Sequence, residues 1–339
     1  MSDKIANNNR IESIQIIRII AAVGIYILHT GFFGGYGVFG VEIFNVISGF
    51  LFMYTSQKGI EYRNDFLKKK IIRLVPVYWF YTIMAFVLIK IFPSYSAIVD
   101  TDVKYLIKSL CFIPFINSKG FDLPVFAPGW TLNYEMFFII ICFISLYISY
   151  RFRSLCVCLI IAFAAACGNI FSLPYELHYY FSTFMLEFCL GIISWYIIKF
   201  LKNIKSKEVL FKLVYAIAIL VSFSLMVYFG NRIVELSERE IFIGIPAMIF
   251  FISFYMLSRN IKYPRFMISL GNCAYSFYMV EYFTAKIFKV VTDGRNDFIK
   301  IFILLLMLLI TFIFSYISYN IIEVKFTNLL KSKIRKKIK

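Results

Sequence analysis

The feature that most constrains this chain is the apolar run from residue 14 to residue 33, which carries two ionisable side chains, Arg18 and His29. A helix needs about 20 apolar residues to cross a bilayer, at a rise of about 1.5 Å per residue. Ionisable groups inside such a span are costly and are therefore candidates for function. Arg18 and His29 are about three helical turns apart, which predicts both on nearly the same face, about 16 Å apart along the axis.

The composition predicts a membrane protein. Of the 339 residues, 61% are hydrophobic and 16% are charged, whereas a soluble domain has about 45–50% apolar and about 25% charged residues. We therefore expect an all-α polytopic membrane protein with about ten transmembrane helices and both termini in the cytoplasm. The predicted spans are 14–33, 36–56, 74–93, 130–150, 155–171, 180–200, 213–229, 241–257, 267–290 and 299–322. The first run is too long for a cleavable signal peptide and lacks a small-residue cleavage pattern.

The basic residues set the expected orientation. With a cytoplasmic N-terminus, most of the 36 Lys and Arg residues fall on the inner side, notably in 58–73, 199–212 and 331–339. The net charge of +17 therefore indicates topology and attraction to anionic lipids, and argues against nucleic-acid binding. The seven cysteines lack metal-ligand spacing, so no metal site is predicted. The expected layout is a cytoplasmic N-terminal segment at 1–13, a membrane domain at 14–323 and a basic cytoplasmic tail at 324–339.

Two acidic residues are expected at the depth of His29. Glu42 lies in the outer third of the second span, and Glu135 lies in the outer third of the fourth. A neutral imidazole is a good general base near neutral pH, and a carboxylate on its other nitrogen fixes the tautomer. His29 with Glu42 is thus a candidate base. Equally, His29 is explained as a structural histidine bonded to a backbone carbonyl. The glycine-rich turn at 31–37 allows a shaped cavity or is just a tight connection.

A basic block precedes the third predicted span. Lys70 and Arg73 are three residues apart and share a face if this segment is helical. Such a fork of cations suits a phosphate-bearing ligand, although anchoring at the inner membrane surface explains most of the lysines in the block. The segment 105–117 is shorter than a span and contains Pro114, which predicts a re-entrant or interfacial element.

Several polar residues near the spans need partners. Trp130 is placed as an interface anchor, and Glu135 lies five residues deeper, where an isolated carboxylate is costly. Three further carboxylates have the same need, and candidate cations exist for them. The carboxylates are Glu187, Glu281 and Glu323, and the cations are Arg18, Lys286 and Lys325.

Five segments, in order, resemble motifs of the acyltransferase 3 family, which comprises bacterial membrane O-acyltransferases of envelope polysaccharides. They are RIIAAVGIYILH (18–29), GVEIFNVISGFLF (40–52), KIIRLVPVY (70–78), WTLNYEMFF (130–138) and SLGNCAYSFYMVEYF (269–283). The resemblance implies His29 as catalytic base, Glu42 as its assistant, Arg18, Lys70 and Arg73 as ligands of acyl-coenzyme A, and Trp130 and Glu135 as substrate-binding residues. Two positions depart from the family pattern. Lys70 replaces an arginine and loses its bidentate geometry, and Glu281 stands where the family has a histidine.

The residues and the resemblance together predict an O-acetyltransferase of the bacterial cytoplasmic membrane. Acetyl-CoA, the predicted donor, docks from the cytoplasm, and the acceptor is a sugar hydroxyl of an envelope, capsular or exopolysaccharide or of its lipid-linked precursor. One alternative is a transporter of polysaccharide or lipid-linked sugar, in which His29 is dispensable. Another is a glycan polymerase, which would need a large outer loop rich in arginine, whereas the loop 94–129 contains none.

Overall fold

The computed structural model describes residues 2–204, 208–232, 239–258 and 261–329. Within these ranges the chain forms helices and no strand, which confirms the predicted all-α class. Residues 330–339 of the predicted basic tail and residues 205–207 of the predicted inner connection lie outside the described ranges. The helices are α1 Ser2–Thr30, α2 Phe39–Ser56, α3 Tyr62–Ile91, α4 Val103–Leu110, α5 Gly129–Ile148, α6 Arg153–Ile170, α7 Tyr175–Tyr180, α8 Leu186–Leu201, α9 Glu208–Gly230, α10 Ile245–Leu257, α11 Arg265–Asn272, α12 Ala274–Thr292 and α13 Asp297–Ser318.

Short helical turns of other types flank these helices. The 3₁₀ turns are Gly34–Gly37, Pro93–Tyr95 and Thr183–Met185, and the π-helical turns are Glu240–Gly244 and Tyr319–Phe326. The first π turn leads into α10, and the second extends α13. Both π turns carry buried carboxylates, which become important below.

Nine stretches of the described chain are long and apolar enough to cross a membrane, as expected for a multi-pass membrane protein. They are Glu12–Thr30, Gly34–Ser56, Tyr62–Ile91, Gly129–Ile148, Arg153–Ile170, Tyr175–Leu201, Val209–Gly230, Glu240–Leu257 and Asp297–Leu329. The ninth predicted span, 267–290, is not among them. It forms two helices, α11 and α12, and α12 carries Glu281, Lys286 and Lys289, which lower its apolar character.

The chain divides into two units, each discontinuous in sequence. The first comprises Met1–Gly59, Phe152–Ala166 and Ser182–Ala274. Its core is built around α2, which closely contacts α1 on one side and α8 on another. A Cβ on Gly40 would lie 2.3 Å from the Ala21 carbonyl oxygen, and one on Gly49 would lie 2.0 Å from that of Phe188. Small residues thus allow backbone contact between helices, as in other membrane proteins.

The second unit comprises Ile60–Arg151, Cys167–Phe181 and Tyr275–Lys339. Its longest described helix, α3, begins well before the predicted start of the third span and continues through Pro76. Proline has no N–H to donate, so the carbonyl four residues earlier loses its helical partner. That carbonyl, of Ile72, accepts a hydrogen bond from the Thr327 hydroxyl at 3.4 Å. The second π turn therefore lies against the basic end of α3.

The segment 105–117 is confirmed as shorter than a span. Its helical part is α4, where the Asp102 side chain caps the N-terminus by accepting from the Lys104 N–H at 3.0 Å. The carbonyls at its other end accept hydrogen bonds from α3: Tyr78 donates to Ser109 at 3.1 Å and Trp79 donates to Leu110 at 2.8 Å. α4 is therefore fixed to the side of α3.

Candidate active site

Arg18 and His29 lie on one uninterrupted helix, as predicted. Both are half-buried residues of α1, and His29 lies in its last turn. The helical rise places them about 16 Å apart along the axis. The geometry of α1 thus places an imidazole at one end of the helix and a fixed cation toward the other.

The turn after His29 lines a small apolar cavity that is open to the surroundings. Gly34 has a left-handed φ of +63°, and the N–H of Gly35 donates to Asn231 Oδ1 at 3.1 Å, which ties the turn to the end of α9. The cavity has a volume of about 270 Å³. Its lining is Gly24, Ile27, Phe33, Tyr36, Gly37, Phe39, Phe223 and Val227. The glycine-rich turn thus lines an apolar cavity and also connects α1 to α2.

Glu42 forms a buried ion pair that the sequence did not predict. Its side chain is fully buried in the first turn of α2, and its Oε1 accepts from Arg239 Nε at 2.7 Å. A second guanidinium nitrogen of Arg239 donates to the same oxygen. Oε2 of Glu42 is buried and makes no hydrogen bond with the described chain. The expected contact with His29 is thus replaced by a contact with Arg239, while the proposed role of Glu42 remains a prediction.

The direction of Glu42 follows from helix geometry. Gly40 faces α1, and residues two apart on a helix point about 200° from one another. Glu42 therefore points away from α1, whereas Asn45 and Gly49 lie on its own side of α2. Gly49 contacts α8, so this polar side of α2 faces α8.

A second carboxylate lies on that side. Glu187 of α8 is fully buried, and its Oε2 accepts from Asn45 Nδ2 at 2.8 Å. Its Oε1 has no hydrogen-bond partner within the described ranges. The cations expected for Glu187 were Arg18, Lys286 and Lys325, and the partner found is an amide. One usable signal was present: Arg239 lies two positions before the apolar run 241–257, where an arginine is a candidate counter-charge for a buried carboxylate.

Lys70 and Arg73 lie on α3, so the condition for their sharing a face is met. Both are half-buried, whereas Lys69 is exposed and pairs with Asp65 at 2.8 Å. This difference separates the two candidate ligands from the lysines that suit surface anchoring.

Arg73 has an acidic neighbour from the second π turn. Its Nε lies 3.6 Å from Oε1 of Glu323, and Oε2 of Glu323 accepts from the Ser276 hydroxyl at 3.0 Å. The Arg73 side chain is 41% exposed and that of Glu323 is 8% exposed. The guanidinium is therefore oriented by protein contacts and still accessible to a ligand. The cations expected for Glu323 were Arg18, Lys286 and Lys325, and the cation found beside it is Arg73.

Trp130 and Glu135 lie in the first two turns of α5. The Trp130 carbonyl accepts from the Tyr179 hydroxyl at 2.9 Å, and its ring meets Tyr134 edge to face, with 6.1 Å between centroids. The half-buried Glu135 is close enough to Tyr275 to act on it electrostatically, as are Arg73 and Glu323. Tyr275 itself donates to the Leu74 carbonyl at 2.9 Å.

The predicted site residues thus fall into two groups. Arg18, His29 and Glu42 belong to the first unit, in which Arg239 joins Glu42. Lys70, Arg73, Trp130 and Glu135 belong to the second unit, where Tyr275 lies near the charges of Arg73 and Glu135. The late segment 269–283 supplies Tyr275 and Ser276. Tyr275 donates to the Leu74 carbonyl and Ser276 donates to Glu323, so this segment contacts the part of the second unit that carries Arg73.

Comparison with known proteins bears on both groups. A family model described as "Acyltransferase domain" matches residues 11–321. The exopolysaccharide production protein ExoZ of Rhizobium meliloti (strain 1021) is 36% identical over 112 residues, which is 32% of this chain and 34% of that protein. The match therefore spans about a third of the length of this curated relative. No solved structure matches the chain.

Proposed function

Because the chain belongs to the family of acyltransferase domains, we propose that it transfers an acetyl group from cytoplasmic acetyl-CoA to a hydroxyl of a cell-envelope polysaccharide or its lipid-linked precursor. The printed name of its relative ExoZ, an exopolysaccharide production protein, supports a polysaccharide as the acceptor. The proposed location is the bacterial cytoplasmic membrane, with the basic inner segments attracted to anionic lipids.

The observation that carries this proposal is the pairing of Arg18 and His29 on α1. Coenzyme A is anionic, and its phosphates suit Arg18, Lys70 and Arg73, of which Arg73 is both oriented and accessible. The distance of about 16 Å from Arg18 to His29 along α1 is comparable to an extended pantetheine arm. A thioester bound in this way would reach the level of His29.

The proposed reaction is direct acyl transfer with His29 as general base. The imidazole takes the proton of the acceptor hydroxyl while the hydroxyl oxygen attacks the thioester carbonyl carbon. The carbon–sulfur bond then breaks, and the imidazolium gives its proton to the leaving thiolate. No net proton is consumed, so one titratable group suffices. Glu42 assists by accepting a hydrogen bond, and Trp130 and Glu135 contact the acceptor.

The test is transfer of labelled acetyl from acetyl-CoA to envelope glycan in membranes that contain the protein. His29→Ala should lower the rate by at least about 100-fold, the lower end of what a general base contributes. His178→Ala is a matched control, because His178 is an exposed histidine of α7. A His29→Ala protein that inserts normally and still acetylates glycan would remove the proposed base. Wild-type membranes that move glycan without consuming acetyl-CoA would indicate a transporter instead.

A further inference from the structure

Arg239 is a buried residue whose ion pair with Glu42 joins α2 to the π turn that leads into α10. It lies directly before the first π turn, is 7% exposed, and its guanidinium lies 5.5 Å from the centroid of the Phe184 ring. Both hydrogen bonds that it makes to Glu42 end on Oε1. The carboxylate is thus held by one oxygen, and Oε2 keeps its full accepting capacity.

The hydrogen bonds described for Arg239 go to one of three buried carboxylates in this region. Glu187 of α8 and Glu240 of the π turn are also buried, so three carboxylates share one region with a single guanidinium among the described residues. Glu187 is bonded by the amide of Asn45, which is a neutral donor. The charge-assisted bonds of Arg239 go to Glu42, so Glu42 is the carboxylate of this group that the guanidinium holds in a fixed orientation.

We propose that Arg239 is a positioning residue for acyl transfer, holding Oε1 of Glu42 so that Oε2 stands as a fixed acceptor for an O–H of the reacting groups. This inference rests on the proposed function, since it assumes that Glu42 assists there. The donor to Oε2 is the hydroxyl of the acceptor sugar, because the side chain of Glu42 points away from α1, the helix that carries His29. Arg239 itself contacts neither substrate and acts through Glu42.

A purely structural role explains the pair less well. Apolar side chains of similar volume stabilise a buried site as well as an ion pair does, and often better. Charges within a membrane-spanning segment carry the highest cost of all. A protein that needed only to fix α2 against α10 would have no use for the pair, whereas a protein that needs an ionised carboxylate inside the membrane needs a cation beside it.

The experiment compares Arg239→Met, Arg239→Lys and the double variant E42M/R239M in purified, reconstituted protein. The readouts are kcat and KM for acetyl-CoA, with the envelope glycan of the host as acceptor. Arg239→Met should lower kcat by about 100-fold or more while KM changes by less than about threefold. Arg239→Lys should recover at least about a tenth of the wild-type kcat, because the ammonium keeps the charge but not the fork.

The double variant tests whether misfolding, rather than loss of positioning, lowers kcat in Arg239→Met. Since an apolar pair can replace a buried ion pair, E42M/R239M should insert and melt like the wild type and still be inactive. Arg232→Met, which removes an exposed arginine at the end of α9, and Glu187→Gln, which keeps the acceptor for Asn45, should leave kcat within about twofold.

Each outcome bears on one proposal. Wild-type kcat in E42M/R239M, or a loss of kcat in Glu187→Gln equal to that in Arg239→Met, overturns the positioning role. If His29→Ala is inactive while E42M/R239M is active, the proposed base stands and the role of Arg239 is overturned. If His29→Ala is active, the base itself is refuted, whatever the Arg239 variants do.

Discussion

The two units each contain an arginine–glutamate pair, and the pairs differ in what they leave accessible. In the first unit, the Arg239 side chain is 9% exposed and that of Glu42 is fully buried, with Nε and Oε1 at 2.7 Å. In the second unit, the Arg73 side chain is 41% exposed, and its Nε lies 3.6 Å from Oε1 of Glu323. The first pair is enclosed by protein, whereas the second presents its cation to the surroundings.

The difference indicates opposite uses of the same two residue types. Under the proposals above, the carboxylate is the functional group of the enclosed pair, and the arginine orients it. In the open pair the arginine is the functional group, and the carboxylate orients a guanidinium that a phosphate can still reach. The comparison therefore predicts which partner of each pair matters for function: the carboxylate of the pair in the first unit, and the arginine of the pair in the second.

The largest expected difference is in stability. Removing one partner of a buried pair leaves an uncompensated charge, so Arg239→Met should lower the free energy of unfolding by about 3–5 kcal/mol. Arg73→Met should lower it by about 1 kcal/mol or less, because solvent screens a half-exposed pair. Chemical unfolding in one detergent measures both, with E42M/R239M as the variant that should restore stability. Equal losses from the two single variants would erase the distinction between the pairs.

The next effect concerns the donor. If Arg73 binds a phosphate, Arg73→Ala should raise KM for acetyl-CoA by about 10- to 100-fold, which corresponds to a charge-assisted hydrogen bond of about 1.5–3 kcal/mol. Lys69→Ala is the matched control on the same helix, since Lys69 is exposed and pairs with Asp65, and KM should change by less than about twofold. An unchanged KM in Arg73→Ala would limit the open pair to a structural role.

The sequence predicted those parts of the site that depend on local pattern. The length of the apolar runs and their basic flanks predicted the spans. Helical spacing predicted that Arg18 and His29 share one helix face and that Lys70 and Arg73 share another. The predicted span 267–290 forms two helices, α11 and α12, and the charged residues of α12 lower its apolar character below that of the nine apolar stretches.

The partners of the buried carboxylates could not be predicted from local pattern. Arg239 is 197 residues from Glu42, and Glu323 meets Arg73 through a π turn that has no clear sequence pattern. The need for a counter-charge was predictable in each case, because an isolated charge in a membrane is costly. The identity of that counter-charge depends on tertiary packing, such as the glycine contacts that bring α2 against α8.

The smallest expected effect is a change in KM at Lys70, the neighbour of the open Arg73–Glu323 pair on α3. Lys70 lies three residues before Arg73 on α3 and is half-buried, where the family resemblance implies an arginine. If it contacts a phosphate of the donor, Lys70→Arg should lower KM for acetyl-CoA by about two- to fivefold, because a guanidinium binds phosphate with two parallel bonds. Lys68→Arg, at an exposed position of the same block, should leave KM unchanged.

Repeating the measurement with acetyl-dephospho-CoA shows which phosphate Lys70 contacts. The lowering of KM in Lys70→Arg disappears if Lys70 contacts the 3′-phosphate and persists if it contacts the diphosphate. An equal KM for wild type and Lys70→Arg with both donors would place Lys70 among the anchoring lysines and leave Arg73 as the phosphate ligand of α3.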